Sequence, residues 1–114
     1  MSRREDFERR RRELNALVLR GANLPIKRFF ALDSDVYGEG ALSRRTKELL
    51  GLVASLVLRC DDCVSYHLIQ AKENGVSREE VVEALAVGLV VGGSIVIPHL
   101  RRAFELVSEL WGEG

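Results

Sequence analysis

The sequence predicts an all-α bundle of about five or six helices. Three observations carry that expectation. Apolar residues recur three and four apart along most of the chain. Helix caps and stops punctuate the pattern: Ser43, Ser77 with Glu80 three residues on, and Asn74-Gly75. No stretch sustains strand-like alternation. Val90-Val91 and Ile95-Val96-Ile97 are β-prone but short, and helical patterns flank them. The chain has 114 residues, 46% hydrophobic and 30% charged, which suits one globular domain spanning 1–114. That length buries a real core, and oligomerisation would add to it. The formal net charge is zero, without the basic excess of a nucleic-acid binder.

Residues 3–20 read as a first helix, with Phe7, Leu14, Leu17 and Val18 as its apolar stripe and Gly21 as its stop. The run Arg9 to Arg12 is expected to be a solvated face, its charges offset by Glu5, Asp6 and Glu8. Leu24-Pro25 opens a short helix to about Tyr37, in which Ile26, Phe29, Phe30 and Leu32 are expected to be core. Gly38-Glu39-Gly40 is a loop. Ser43 then caps a strongly apolar helix from Arg44 to about Arg59, with Glu48 in its first half. Residues 60 to about 74 form the next helix, and Ser77 and Glu80 box the start of another. Gly92-Gly93 breaks that helix. Ser94 is expected to cap the last one, which runs to about Trp111 with Leu100, Phe104, Val107, Leu110 and Trp111 inward.

The N-terminus, Met-Ser-Arg-Arg-Glu-Asp, lacks the apolar core of a secretory signal. The most apolar run, Ala84 to Leu100, is broken by Gly88, Gly92, Gly93, Pro98 and His99, so a buried or interface segment is expected rather than a membrane span. The expected location is the cytoplasm. Two cysteines in that reducing compartment suit redox or metal work better than a structural staple.

Both cysteines fall in Cys60-Asp61-Asp62-Cys63-Val64-Ser65-Tyr66-His67. On a helix, Cys60, Cys63 and His67 share a face, from which Tyr66 is expected to point away. A helix N-terminus lowers a thiol's pKa through its free N–H groups, and a nearby imidazole helps as base or cation. Asp61 and Asp62 oppose this by like-charge repulsion. His67 is closest in helical terms to Cys63. Cys63 is therefore assigned as the attacking thiol, and Cys60 as the partner that closes the disulfide through a sulfenic acid or a mixed disulfide.

Glu48, eleven intervening residues and then Cys60-x-x-Cys63-x-x-x-His67 resembles the signature of the alkylhydroperoxidase D-like branch of the carboxymuconolactone decarboxylase family. The likeness extends from about Ser43 through Gly92-Gly93. It implies an all-helical fold assembled as trimers or hexamers, and a peroxidase or disulfide reductase activity without a cofactor. It also implies Cys63 as the peroxide-reactive thiol, Cys60 as its resolving partner, and Glu48 and His67 as a proton relay. The implied substrates are hydroperoxides or disulfides. The external dithiol donor would be a lipoyl group, a thioredoxin-like protein or a small thiol. Some relatives carry a histidine directly before the second cysteine, where this chain has Asp62. The family's true decarboxylases lack the cysteine pair.

Two other readings use the same residues. Cys60, Cys63 and His67 with Glu48 or His99 would make a zinc site, although a second Cys or Cys-His pair is missing. A non-catalytic assembly protein with buried free cysteines is the other. His99 itself is expected to be a core or interface residue.

Overall fold

The computed structural model describes residues 2–114. Among them are six α-helices and no strand, as expected: α1 Arg3–Gly21, α2 Leu24–Val36, α3 Arg44–Val57, α4 Asp61–Glu73, α5 Arg78–Gly92 and α6 Ile97–Trp111. Local chemistry sets most of the boundaries. Ser2, Asn23, Ser43 and Ser77 each accept a backbone N–H in the first turn of α1, α2, α3 and α5. Ser77 and Glu80 form the full capping box. Ser94 is the exception. It opens a single 3-10 turn, Ser94–Val96, and makes no capping bond. Gly93 leaves α5 at φ 81°, so the chain turns before α6, and Pro98 falls in the first turn of α6, where its missing N–H is harmless.

α3 packs on α4 and α5, and α6 closes against both. Leu52 and Leu56 of α3, Leu68 of α4, Leu85 of α5 and Leu106 of α6 meet in one apolar cluster. Gly88 lets α5 approach α3 closely, since a Cβ there would lie 2.9 Å from Leu56 Cδ2. Trp111 packs on the cluster's edge and donates its indole N–H to Val76 O at 3.0 Å.

The first two helices form as expected, but the expected burial of α2 does not follow. Of the α1 stripe only Phe7 packs against the core, and Leu14, Leu17 and Val18 are exposed. In α2, Phe29 is 68% exposed, and Ile26 and Leu32 are exposed too, so this segment is not core in the single chain. Periodicity locates an apolar face but not what covers it. Besides Phe7, α1 meets the bundle through Glu109, which accepts the Arg3 and Arg4 N–H groups, and through exposed ion pairs of Arg4 with Glu73 and Arg3 with Glu105. The radius of gyration, 14.6 Å, exceeds the roughly 13 Å expected of a chain this long, because α1 and α2 lie outside the main bundle.

Candidate functional site

The site is built at the junction of α3 and α4. α3 ends with Arg59 in the left-handed region, φ 60°. Two backbone bonds close that turn, Arg59 N–H to Leu56 O and Cys60 N–H to Ser55 O, both at 3.0 Å. A non-glycine residue here stores about 1–3 kcal/mol of strain. The tight turn brings Cys60 to the N-cap of α4, where its sulfur accepts the Cys63 N–H at 3.2 Å. Cys60 and Cys63 are joined as a disulfide, with Cα atoms 5.3 Å apart. Cys63 is exposed and Cys60 half-buried.

One turn further along α4, His67 turns inward and is only 8% exposed. Its Nδ1 lies 2.8 Å from Glu48 Oε1. Glu48, on α3, is 0% exposed. Its other oxygen makes no hydrogen bond and sits 3.5 Å from Arg44 Nε, one turn back on the same helix. A carboxylate accepting from Nδ1–H fixes the imidazole tautomer and leaves Nε2 with its lone pair. The geometry therefore offers a buried acid–imidazole pair one helical turn from the Cys60–Cys63 disulfide.

Cys63 and His67 line one cavity of about 570 Å³. Cys60 and Glu48 do not line that cavity, so the four residues do not all face one pocket: Cys60 joins it through the disulfide and Glu48 through His67. Asp62, in the place where some relatives carry histidine, is on the cavity wall, and α1 supplies Phe7, Arg10 and Arg11. One expectation is corrected here. Tyr66 does not point away: its ring meets His67 edge-on at 5.2 Å and lines the same cavity. Arg9 to Arg12 are exposed, as expected, and from that face the Arg11 guanidinium lies 4.2 Å from the Tyr66 ring centre. Burial, chiefly, and the Glu48 charge raise the Tyr66 phenol above its ordinary pKa, so it stays protonated.

Sequence reasoning missed Tyr37. This residue ends α2, and its hydroxyl lies 3.4 Å from His67 Nε2. His99 bonds Asp61 Oδ1 at 2.8 Å, and Arg102 bonds Asp61 Oδ2 at 3.0 Å, so α6 neutralises the carboxylate next to Cys60. His99 is thus engaged away from the Glu48–His67 pair. Among the described residues no three His, Cys, Asp or Glu side chains converge as metal ligands would.

Fold and site together define a small all-helical protein with a Cys-x-x-Cys disulfide beside a buried Glu–His pair. The family model of the carboxymuconolactone decarboxylase family matches residues 26–106, and the chain belongs to that family. Two crystal structures of a Thermotoga maritima protein are similar to it. One is 59% identical with a TM-score of 0.91, covering 93% of each chain. The other, at 60% identity and a TM-score of 0.87, covers 92% of this chain and 89% of its own; it is described as a carboxymuconolactone decarboxylase family protein with a suggested involvement in antioxidative response. A Paracoccus denitrificans protein, uncharacterized protein 4 in the cox locus, is 30% identical over 84 residues, 74% of this chain and 76% of its own. A Legionella pneumophila family member shares the fold at a TM-score of 0.86 and 20% identity, covering 99% of this chain and all of its own.

Proposed function

We propose that this protein is a thiol-dependent peroxidase or disulfide oxidoreductase of the alkylhydroperoxidase D-like type. The observation that carries the reading is the buried Glu48–His67 pair, 2.8 Å apart, with His67 and the exposed Cys63 on one cavity wall. In the reduced protein the Cys63 thiol gives its proton to His67 Nε2, and Glu48 stabilises the imidazolium. The Cys63 thiolate attacks the distal peroxide oxygen; the O–O bond breaks, and Cys63 becomes a sulfenic acid. The departing alkoxide takes the proton from Nε2 and leaves as alcohol. The Cys60 thiol then displaces hydroxide from the Cys63 sulfur, the hydroxide takes the thiol's proton, and water leaves as the disulfide closes. An external dithiol, such as a lipoyl group, a thioredoxin-like protein or a small thiol, reopens it by exchange through a mixed disulfide.

The assignment of Cys63 as the attacking sulfur is supported by its exposure on the cavity, where Cys60 is held back as the N-cap. We also propose a homo-oligomer, trimer or hexamer, working in the cytoplasm. The surface, 7193 Å², exceeds the about 6,300 Å² usual for a monomer of this mass. The exposed apolar residues include Leu50, Val87 and Val91, which with Val53 line an open groove. No helix among the described residues is long and apolar enough to cross a membrane. Steady-state reduction of an organic hydroperoxide, with several dithiol donors and the Cys63→Ser variant alongside, tests the reading. It expects turnover in the native protein and none in the variant; equal turnover in both would overturn it.

A further inference from the structure

Two details of α3 have no explanation in the Cys–His–Glu chemistry alone. Gly51 lies in the middle of a helix, where glycine costs about 1 kcal/mol relative to alanine. A Cβ there would stand 2.5 Å from His67 Cε1, 2.7 Å from His67 Nε2 and 2.6 Å from the Tyr37 hydroxyl. No other residue type leaves room for both groups. Lys47 donates to Val36 O at 2.8 Å and Gly38 O at 2.7 Å, which clamps the C-terminal end of α2 onto α3 with Tyr37 between those two carbonyls. Lys47, Glu48 and Gly51 lie on neighbouring positions of one helix face. That face therefore holds the tyrosine, holds the imidazole from its other side, and makes the notch where the two meet.

Resting on the functional reading above, we infer that Tyr37 is a positioning residue for His67. Its hydroxyl, seated in the Gly51 notch, donates to Nε2 and keeps that nitrogen as the imidazole's acceptor, the form that takes the Cys63 proton. The tautomer is consistent on both sides. Glu48 accepts from Nδ1–H, so Nε2 has a lone pair for the phenol. Burial, and after it the Glu48 charge, raises the Tyr37 phenol above its ordinary pKa, so the group stays a donor. A phenol is also a weak enough competitor to yield Nε2 to a thiol when the disulfide is reduced.

Two variants and two measurements test this in the full-length chain. Tyr37→Phe keeps the ring and removes the hydroxyl. Gly51→Ala keeps every functional group and pushes phenol and imidazole apart. Each is expected to lower kcat for cumene hydroperoxide about tenfold with little change in KM, the worth of one positioning hydrogen bond. The double variant should be no slower than the slower single one. Nitrogen NMR of the ¹⁵N-labelled disulfide form supplies the second readout. Native His67 Nε2 is expected to carry the shift of a hydrogen-bonded lone pair, and both variants that of a free one. An Nε2 signal unchanged by either substitution, or an unchanged kcat in both, would overturn the inference. Because the NMR readout needs no turnover, an inactive native protein would refute the peroxidase reading while the spectra still decide the role of Tyr37.

Discussion

Replacing Glu48 with Gln is the sharpest perturbation of the proposed relay. The substitution preserves shape and volume at a position with no solvent exposure, so the helix packing survives. What changes is the bond to His67 Nδ1, now 2.8 Å from a carboxylate oxygen. If the amide oxygen faces Nδ1, the tautomer is kept but the charge that stabilises an imidazolium is lost. Hydrogen bonds to charged groups contribute about 1.5–3 kcal/mol against about 1 kcal/mol for neutral ones. If the amide NH₂ faces Nδ1, the tautomer inverts, Nε2 becomes a donor, and the thiol has no base. Either arrangement lowers the single-turnover rate roughly ten- to a hundredfold, at about 1.4 kcal/mol per tenfold. The assay is stopped-flow loss of thiols when the prereduced protein meets cumene hydroperoxide, with circular dichroism to verify the fold. A rate within twofold of native in a folded Glu48→Gln protein would refute the relay.

Other substitutions test other parts of the account. Cys60→Ser should stop the reaction after one turnover, leaving a Cys63 sulfenic acid that dimedone captures; dimedone labelling absent from that variant would reverse the order of attack. Leu52→Ala, at a position with no exposure in the core cluster, should cost about 2–5 kcal/mol in urea unfolding, and a loss below 1 kcal/mol would contradict the packing described. The Glu80 carboxyl is pulled down from 4.5 to about 2, first by its bond to the Arg45 guanidinium and then by the Ser77 N–H. Its folded pKa lies below its unfolded one, so the stability it contributes is complete above the ordinary carboxylate range and is lost as pH falls toward about 2. Glu80→Gln should therefore flatten that part of the acid unfolding curve, and a curve parallel to native would contradict it. Val87→Asp, in the open apolar groove, should shift the native oligomer toward monomer in sedimentation velocity, and a native protein that already sediments as a monomer would overturn the proposed assembly.

Much of this site could be read from the chain because its parts are local. Cys60, Cys63 and His67 lie within eight residues of one helix and its cap, and Glu48 sits on the helix just before it. The caps at Ser43 and Ser77 and the Asn74-Gly75 stop are equally local and fall where expected. Tyr37 was not legible, since its meeting with His67 depends on how α2 folds back, thirty residues away along the chain. Gly51 looks like a weak point in a helix until the groups opposite it are known. Arg59 gives no warning of a left-handed turn, because glycine or asparagine is the usual sign of one. Helical position alone puts Tyr66 outward, but its ring reaches the neighbouring imidazole. Phe29 and Leu32 have the pattern of core residues, and the single chain provides no core for them.

The central claim is that Cys60 and Cys63 cycle between dithiol and disulfide at the expense of a hydroperoxide. The most direct measurement is the stoichiometry of the prereduced protein with one equivalent of cumene hydroperoxide per chain, followed by thiol titration and peptide mapping. The account predicts that both of the chain's cysteines are lost per hydroperoxide consumed, that the mapped product is the Cys60–Cys63 disulfide, and that a dithiol restores both thiols. Thiols that persist while the hydroperoxide remains intact would contradict it.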